Sequence, residues 1–492
     1  MNTVGQEGSA PKRRHRLLRH VAAIALSAGL LAAFAADAQS VGTLKPELAA
    51  KVRSAVAEVI ARTHVPGMQV GIVQDGKIAY VEAFGYARLS PPQPVSVAMH
   101  FAVGSISKQF TVAAVMLLQQ QGKLSIDDPV SKWFPELTRS REVTLRNLMS
   151  HTSGYEDYAP QDYTIPKWTQ PSAADAIVHE WATKPLDFDP GTEYQYSNTN
   201  FNIVGLIVQK VTGQPFWAFL KAHVLDPVGL ANVIDLDSQH DRLEPTGYFQ
   251  HALGPLRPAL MEAPGWYFAD GEMAMPVSDL LKWDISVINR TLLSAASYAQ
   301  MEAPTRFRNG VYGTYGLGLS TGATNGHRRI SHGGEVGGFV ALNVVFPDDR
   351  VAVAVLTNQE ASAAAKLVGV AITDLLLPPA VGTSAAMSPK DTEKLEAHTR
   401  EVLSGLQQGH IDRNLFTADA NFYFDKTAIE DYASSLGSLG AIHSLHQKST
   451  ELRGGMRFSM FTAEFAKGAK VDVSTYWTTE GKIEQFLVGP TS

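Results

Sequence analysis

Ser105-Ile106-Ser107-Lys108 sets a hydroxyl and an amine three positions apart. On a helix, positions i and i+3 share a face, so the Lys108 amine would hang beside the Ser105 hydroxyl. The stretch after it, from Phe110 through Leu118, is apolar on every face, the mark of a buried core helix, and Gly122 is placed to end it. A lysine in the first turn of such a helix is expected to be desolvated. Keeping an ordinary lysine neutral at pH 7 costs about 4.6 kcal/mol from its reference pKa of about 10.4, and burial can shift a lysine by about 3–5 units. The pair therefore reads as a nucleophile with its own base. The spacing alone is weak: Ser9-Ala10-Pro11-Lys12 matches it too, and Ser105 taken singly fits a helix N-cap.

Two later segments change the weight of that pair. Tyr196-Ser197-Asn198 follows a turn at Asp189-Pro190-Gly191 and precedes a helical run over 201–211. His332-Gly333-Gly334 follows a strand-like run over 328–331, with a second glycine pair at Gly337-Gly338. Taken singly, the first is a polar loop and the second a Gly-rich strand end. In this order the three resemble the serine penicillin-recognising family, the penicillin-binding proteins and β-lactamases, whose chains carry Ser-x-x-Lys, then Tyr-x-Asn, then Lys/His-Thr/Ser/Gly-Gly. The class C β-lactamase and D-alanyl-D-alanine carboxypeptidase branch is the most similar. The stretches 145–154 (LRNLMSHTSG), 190–211 (PGTEYQYSNTNFNIVGLIVQKV) and 332–339 (HGGEVGGF) also resemble the family, and the likeness runs from about residue 44 to 377.

The resemblance implies that Ser105 is the acylated nucleophile and that Lys108 and Tyr196 share general-base and general-acid duty. Asn198 would position Lys108 and the substrate amide. His332 and Gly334 would line the substrate site, and the backbone N–H groups of Ser105 and Glu335 would form the oxyanion hole. No cofactor and no metal is implied. The third motif opens with His332 where most β-lactamases have lysine, which points toward carboxypeptidase, D-aminopeptidase and esterase-like members. An ammonium holds a substrate carboxylate at any physiological pH, an imidazole only while protonated. Glu335 sets an acid beside the same site. The activity implied is that of a D-Ala-D-Ala carboxypeptidase or D-amino-acid peptidase; an esterase or β-lactamase, or a catalytically silent binding protein, are the alternatives.

Other motifs carry less. Gly318-Leu319-Ser320-Thr321-Gly322 matches the lipase-type nucleophile elbow, but that elbow needs a strand, a sharp turn and then a helix. Here another strand follows Asn325-Gly326. His179-Glu180 lacks the second histidine of a zinc protease, and His151 reads as a structural loop residue.

The elements that must position these groups fall into two textures. A helical pattern over 44–61 leads into strands at 68–74 and 77–83 joined by Asp75-Gly76, a strong hairpin signal. After a long helical middle section, strand-like runs return at 315–320, 328–331, 338–346 and 350–357. Residues 351–356 are continuously apolar, as in a strand covered on both faces. The opening helix and a helical pattern over 362–377 are expected to supply the two covers. The fold class is therefore α+β (an α/β sandwich): an antiparallel sheet made by the two ends of the region 44–377, flanked by helices, with a helical subdomain inserted. A Pro- and small-residue linker is expected over 378–389, then a small α+β accessory domain over 390–492 with strands at 456–465, 471–477 and 482–488.

Composition narrows the partners. The chain has 492 residues, 42 Lys and Arg against 48 Asp and Glu, and a net charge of −6. That sign and the lack of a basic stripe exclude the nucleic-acid binders. With no cysteine, disulfides and thiol chemistry are excluded. A basic cluster from Lys12 to Arg19, an apolar run over 21–36 and Ala36-Asp37-Ala38 read as a secretory signal over 1–38. The protein is thus expected to be periplasmic or secreted, without a stable membrane span after cleavage, and to act on a small-molecule or peptide substrate, cell-wall peptide included. The sequence leaves the oligomeric state open.

Overall fold

A computed structural model describes residues 43–378, 392–453, 456–478 and 481–491. The leader expected over 1–38, and all of the expected linker except Pro378, lie outside the described residues.

The main sheet has seven strands: β1 (Gly67–Gln74), β2 (Lys77–Leu89), β3 (Pro92–Pro94), β4 (Ser320–Thr324), β5 (His327–Val336), β6 (Phe339–Phe346) and β7 (Val351–Thr357). Their order is β3-β2-β1-β7-β6-β5-β4, antiparallel at each pairing. The two ends of the region meet where β1 pairs with β7, Val70 opposite Val355. Between β3 and β4 lies the expected helical section, including α2 (Ser107–Gln120), α3 (Asn198–Thr212) and α4 (Val277–Asn289).

Strand β7 is buried at every position, and its side chains alternate between two cores. Ala352, Ala354 and Leu356 join the core that holds α2, α3 and α4, while Val353 and Val355 pack with α1 (Pro46–Thr63) and α5 (Ala364–Leu376). The two covers were expected to be α1 and α5. They lie together on one face, and α4 supplies the other. Gly71 lets α4 approach, since a Cβ there would stand 2.8 Å from a Leu281 methyl. The strand expected over 315–320 begins only at Ser320; Tyr315 makes an isolated bridge to it.

The second sheet has four antiparallel strands in sequence order: β8 (Ile442–Arg453), β9 (Met456–Phe465), β10 (Lys470–Trp477) and β11 (Ile483–Pro490). One face packs against α6 (Thr392–Gln407) and α7 (Lys426–Leu436) in a core of its own, with Leu403, Leu406, Tyr432, Phe461 and Phe486 at 0% exposure. Six aromatics of this region have core-like positions in the sequence: Phe416, Phe424, Tyr432 and Phe461 fill the core, whereas Phe422 is exposed and Phe458 is half-buried on the other face of β9.

Both sheets belong to one compact unit. The second docks on the loop 158–165 and on the hairpin of Tyr248–Gln250 and Leu256–Pro258. Tyr163 donates its hydroxyl to the Glu484 carbonyl at 2.6 Å, and Asp162 and Gln485 exchange two hydrogen bonds. Arg257 pairs with Asp431, and Tyr423 stacks on Tyr163 at 4.9 Å. Among the described residues no single helix is long and apolar enough to cross a membrane.

Candidate active site

Gly104 takes a left-handed φ of 48°, and a short 3-10 turn, Gly104–Ile106, runs straight into α2. Ser105 sits inside that turn and caps nothing; the N-cap position of α2 is Ile106. Lys108 is one turn on and fully buried, as expected of an apolar helix. Its Nζ donates to Ser105 Oγ at 2.8 Å, to Asn198 Oδ1 at 2.7 Å and to the Asp270 carbonyl at 2.9 Å.

The last two acceptors cannot reverse roles. A carbonyl only accepts, and the Asn198 amide is locked because its Nδ2 donates to Asp157 Oδ1 at 3.0 Å and to the Ala159 carbonyl at 3.1 Å. Of these three contacts, only the hydroxyl can turn from acceptor to donor. A neutral lysine that keeps two protons on Asn198 and Asp270 would have a lone pair to take the proton of Ser105.

Tyr196 enters from the end of the loop before α3. Its ring lies on His151 with centroids 4.1 Å apart, and Lys108 Nζ is 5.1 Å from the ring centre. His151, read from the sequence as a structural loop residue, has a left-handed φ of 55° and accepts the Ser197 N–H at Nδ1. It is a floor for the phenol.

The third segment lies on β5. Gly334 packs against the turn before the nucleophile so closely that a Cβ would stand 1.8 Å from the Val103 carbonyl oxygen and 3.1 Å from the Ser105 nitrogen. In return, a Cβ on Gly104 would stand 2.8 Å from the Glu335 nitrogen. Two glycines thus let the backbones touch and set the chain at Ser105 against the chain at Glu335. Glu335 turns its carboxylate to the Ala361 N–H at 2.6 Å.

His332 corrects one expectation. Its Nδ1 donates to the Gly333 carbonyl at 2.5 Å, which leaves Nε2 to accept the Tyr315 hydroxyl at 2.7 Å. Burial, reinforced by the charge on Lys108, pushes its pKa down to about 3. The imidazole is neutral at working pH and both nitrogens are engaged, so it is not the titrating carboxylate receptor the sequence implied.

Sequence reasoning missed the groups behind these. Asp157 orients Asn198, and nothing in the spacing of the loop after Gly154 marks it. Asp270 lies beneath the cluster, where its carboxyl accepts from the Tyr158 hydroxyl at 2.8 Å and from Asn202 Nδ2 at 2.7 Å. Burial raises it to about 7, against the pull of Lys108. Two acids, Asp270 and Glu272, in the otherwise apolar stretch before Met273 were the available signal. Gly318 of the elbow-like motif backs α2, a Cβ there standing 2.8 Å from the Lys108 carbonyl, while Ser320 pairs with Ser331 in the sheet.

Asp235, Asp237 and Glu272 bring carboxylate oxygens within 4.8 Å of one another. Asp237 spends its oxygens on the N–H groups of Gly265 and Phe268, and Asp235 spends its own on Asp237 N–H and the Ser238 hydroxyl. Two of the three carboxylates are thus committed as caps for the chain.

Ser105, Tyr196, Asn198, His332, Gly334 and Glu335 line a single cavity of about 890 Å³. The Beta-lactamase family model matches residues 52–375, which take in all three motifs. The chain belongs to the Beta-lactamase family. It is a serine hydrolase of the β-lactamase and penicillin-binding-protein type. A penicillin-binding protein of Bacillus subtilis (strain 168) is 27% identical over 321 residues, 62% of this chain and 70% of the relative. A D-aminopeptidase of Cereibacter sphaeroides is 30% identical over 307 residues, 61% of this chain but 58% of the relative, less than two thirds of its length. Among solved structures, the octameric penicillin-binding protein homologue from Pyrococcus abyssi superposes with a TM-score of 0.60 at 20% identity. That likeness covers 89% of this chain and 99% of the other, so its fold extends into the C-terminal sheet.

Proposed function

We propose that this family member is an extracytoplasmic amide hydrolase acting on D-amino-acid amides and peptides through an acyl-enzyme on Ser105. The observation that carries the reading is the 2.8 Å contact between Lys108 Nζ and Ser105 Oγ, beside contacts from the same amine to Asn198 Oδ1 and the Asp270 carbonyl. Lys108 takes the hydroxyl proton as Oγ attacks the carbonyl carbon. The oxyanion that forms faces the N–H groups of Ser105 and Glu335, a pair of preorganised donors typically worth about 3–4 kcal/mol each. Collapse breaks the C–N bond, and the departing amine takes a proton relayed by Lys108 and the Tyr196 phenol. Water then repeats the attack on the ester and frees Ser105.

The neutral His332 supports a substrate that is not held through a carboxylate at that position. This favours the D-aminopeptidase kind of substrate over the β-lactam or D-Ala-D-Ala carboxylate. The basic and apolar leader over 1–38 supports work outside the cytoplasm.

Replacing Ser105 by Ala is expected to cut kcat on D-alanine amide by at least about a thousandfold while the melting temperature stays close to wild type. Mass spectrometry should show an acyl adduct on Ser105 in the wild type alone. Undiminished turnover in Ser105→Ala would refute the assignment.

A further inference from the structure

The cavity around Ser105, about 890 Å³, lies near the top of the ~300–1,000 Å³ range of small-molecule sites. A single amino-acid amide fills only part of it. The C-terminal sheet provides its far wall.

Strand alternation puts that wall there. On β9, Phe461 and Ala463 enter the core under α6 and α7, while Phe458 and Met460 emerge half-buried on the opposite face. On β10, Val471 and Val473 go inward, and Asp472 and Ser474 line the cavity. Lys448 of β8 reaches the same face and pairs with Asp472 at 2.9 Å. Thr462 donates its hydroxyl to the other carboxylate oxygen at 2.6 Å. Phe458 rests on Tyr476 with ring centres 4.9 Å apart, which fixes its ring.

The wall therefore offers two water-facing apolar side chains beside a held cation and anion. A peptide has the matching features: a side chain to cover Phe458 and Met460, and a backbone whose N–H and C=O suit Asp472 and Lys448. A bare amino-acid amide lacks the second residue that would reach them.

We propose that the C-terminal sheet is a second substrate subsite, which binds the part of a peptide beyond the scissile bond through Phe458, Met460 and the Lys448–Asp472 pair. The inference rests on the assignment of Ser105 as the nucleophile in this cleft, and makes the preferred substrate an oligopeptide with an apolar residue after its D-amino terminus.

The test uses the full chain carrying Ser105→Ala, so that binding is read without turnover. Calorimetry compares D-alanine amide with the tripeptide amide D-Ala-Leu-Leu. The longer ligand is expected to bind at least tenfold tighter, and adding Phe458→Ala with Met460→Ala should bring the two affinities to within about threefold. Lys448→Ala, a change at a partly exposed side chain, should lower the ratio in the same direction and serves if the double variant does not fold. A general loosening of the fold would weaken both ligands in parallel and leave their ratio intact. Equal affinities before the wall is altered, or an unchanged ratio afterwards, would overturn the subsite. Turnover of D-alanine amide by the chain with Ser105 intact decides the nucleophile separately, so the two ideas can fail independently.

Discussion

On the wall of the cleft that carries Ser105, backbone touches backbone. A Cβ on Gly334 would stand 1.8 Å from the Val103 oxygen, and one on Gly104 would stand 2.8 Å from the Glu335 nitrogen. On the opposite wall, ordinary strand alternation turns the side chains of Phe458, Met460 and Asp472 toward the cavity. The first wall tolerates almost no change of volume and fixes atoms for chemistry. The second has side chains that can be exchanged without moving the strands beneath them. The difference teaches where reaction and selectivity are kept in this molecule: reaction in packed backbone, selectivity in half-exposed side chains.

Three changes press on that contrast. The largest effect is expected from Gly334→Ala, which drives a methyl into the turn before Ser105. Activity should fall by about a hundredfold or more as the two N–H donors part, with a lower melting temperature. Near-normal kcat in that variant would mean that the first wall is as forgiving as the second.

Asp157 comes next, as a positioning residue. In Asp157→Ala the Asn198 amide loses the acceptor that fixes its orientation, and kcat should drop about tenfold with KM changed less. Asp157→Asn keeps an oxygen there and should recover most of the rate. Parallel losses in both variants would indicate a merely structural role.

The smallest effect concerns His332. Because burial and Lys108 keep its imidazole neutral until about pH 3, kcat/KM should follow the same pH profile between 5 and 8 for a neutral amide and for a carboxylate-bearing one. An acid limb near pH 6.5 seen only with the carboxylate would contradict this. For stability, the unfolded imidazole binds a proton around 6.5 and the folded one only around 3. His332 therefore costs nothing above about pH 6.5 and increasingly destabilises the fold as pH falls toward 3. Urea unfolding of His332→Gln against wild type should show the gap between them move in that direction.

The first wall was largely legible in the sequence. Ser105, Lys108, Tyr196, Asn198 and Gly334 were each weak signals singly; their order along the chain, and the family it resembles, made them legible together. The hairpin at Asp75-Gly76 and the doubly covered strand β7 were legible by themselves: a left-handed turn and an all-apolar run each leave few alternatives. Asp157 and Asp270 were not, because a carboxylate that orients another side chain can sit anywhere the loop returns. The charge state of His332 was not legible, since its burial depends on Tyr315 and Lys108 arriving from other elements. Strand β8 passed unread: it is almost entirely polar, with no apolar–polar alternation, and its register shifts near Ser444 and Ser449, so this edge strand carries no strong strand signal. The sequence left the placement of β9 and β10 open, cover of the cleft included, as a sheet face looks the same whether it meets bulk water or a ligand.

The loop 157–165 serves both sheets at once. Asp157 and Ala159 grip Asn198, and a few residues on, Asp162 and Tyr163 grip the last strand. A disturbance that frees β11 thus pulls directly on the residue that steadies Lys108. The accessory sheet is therefore expected not to melt as a bystander: on heating, loss of its docking should carry the hydrolase's proton-transfer geometry with it.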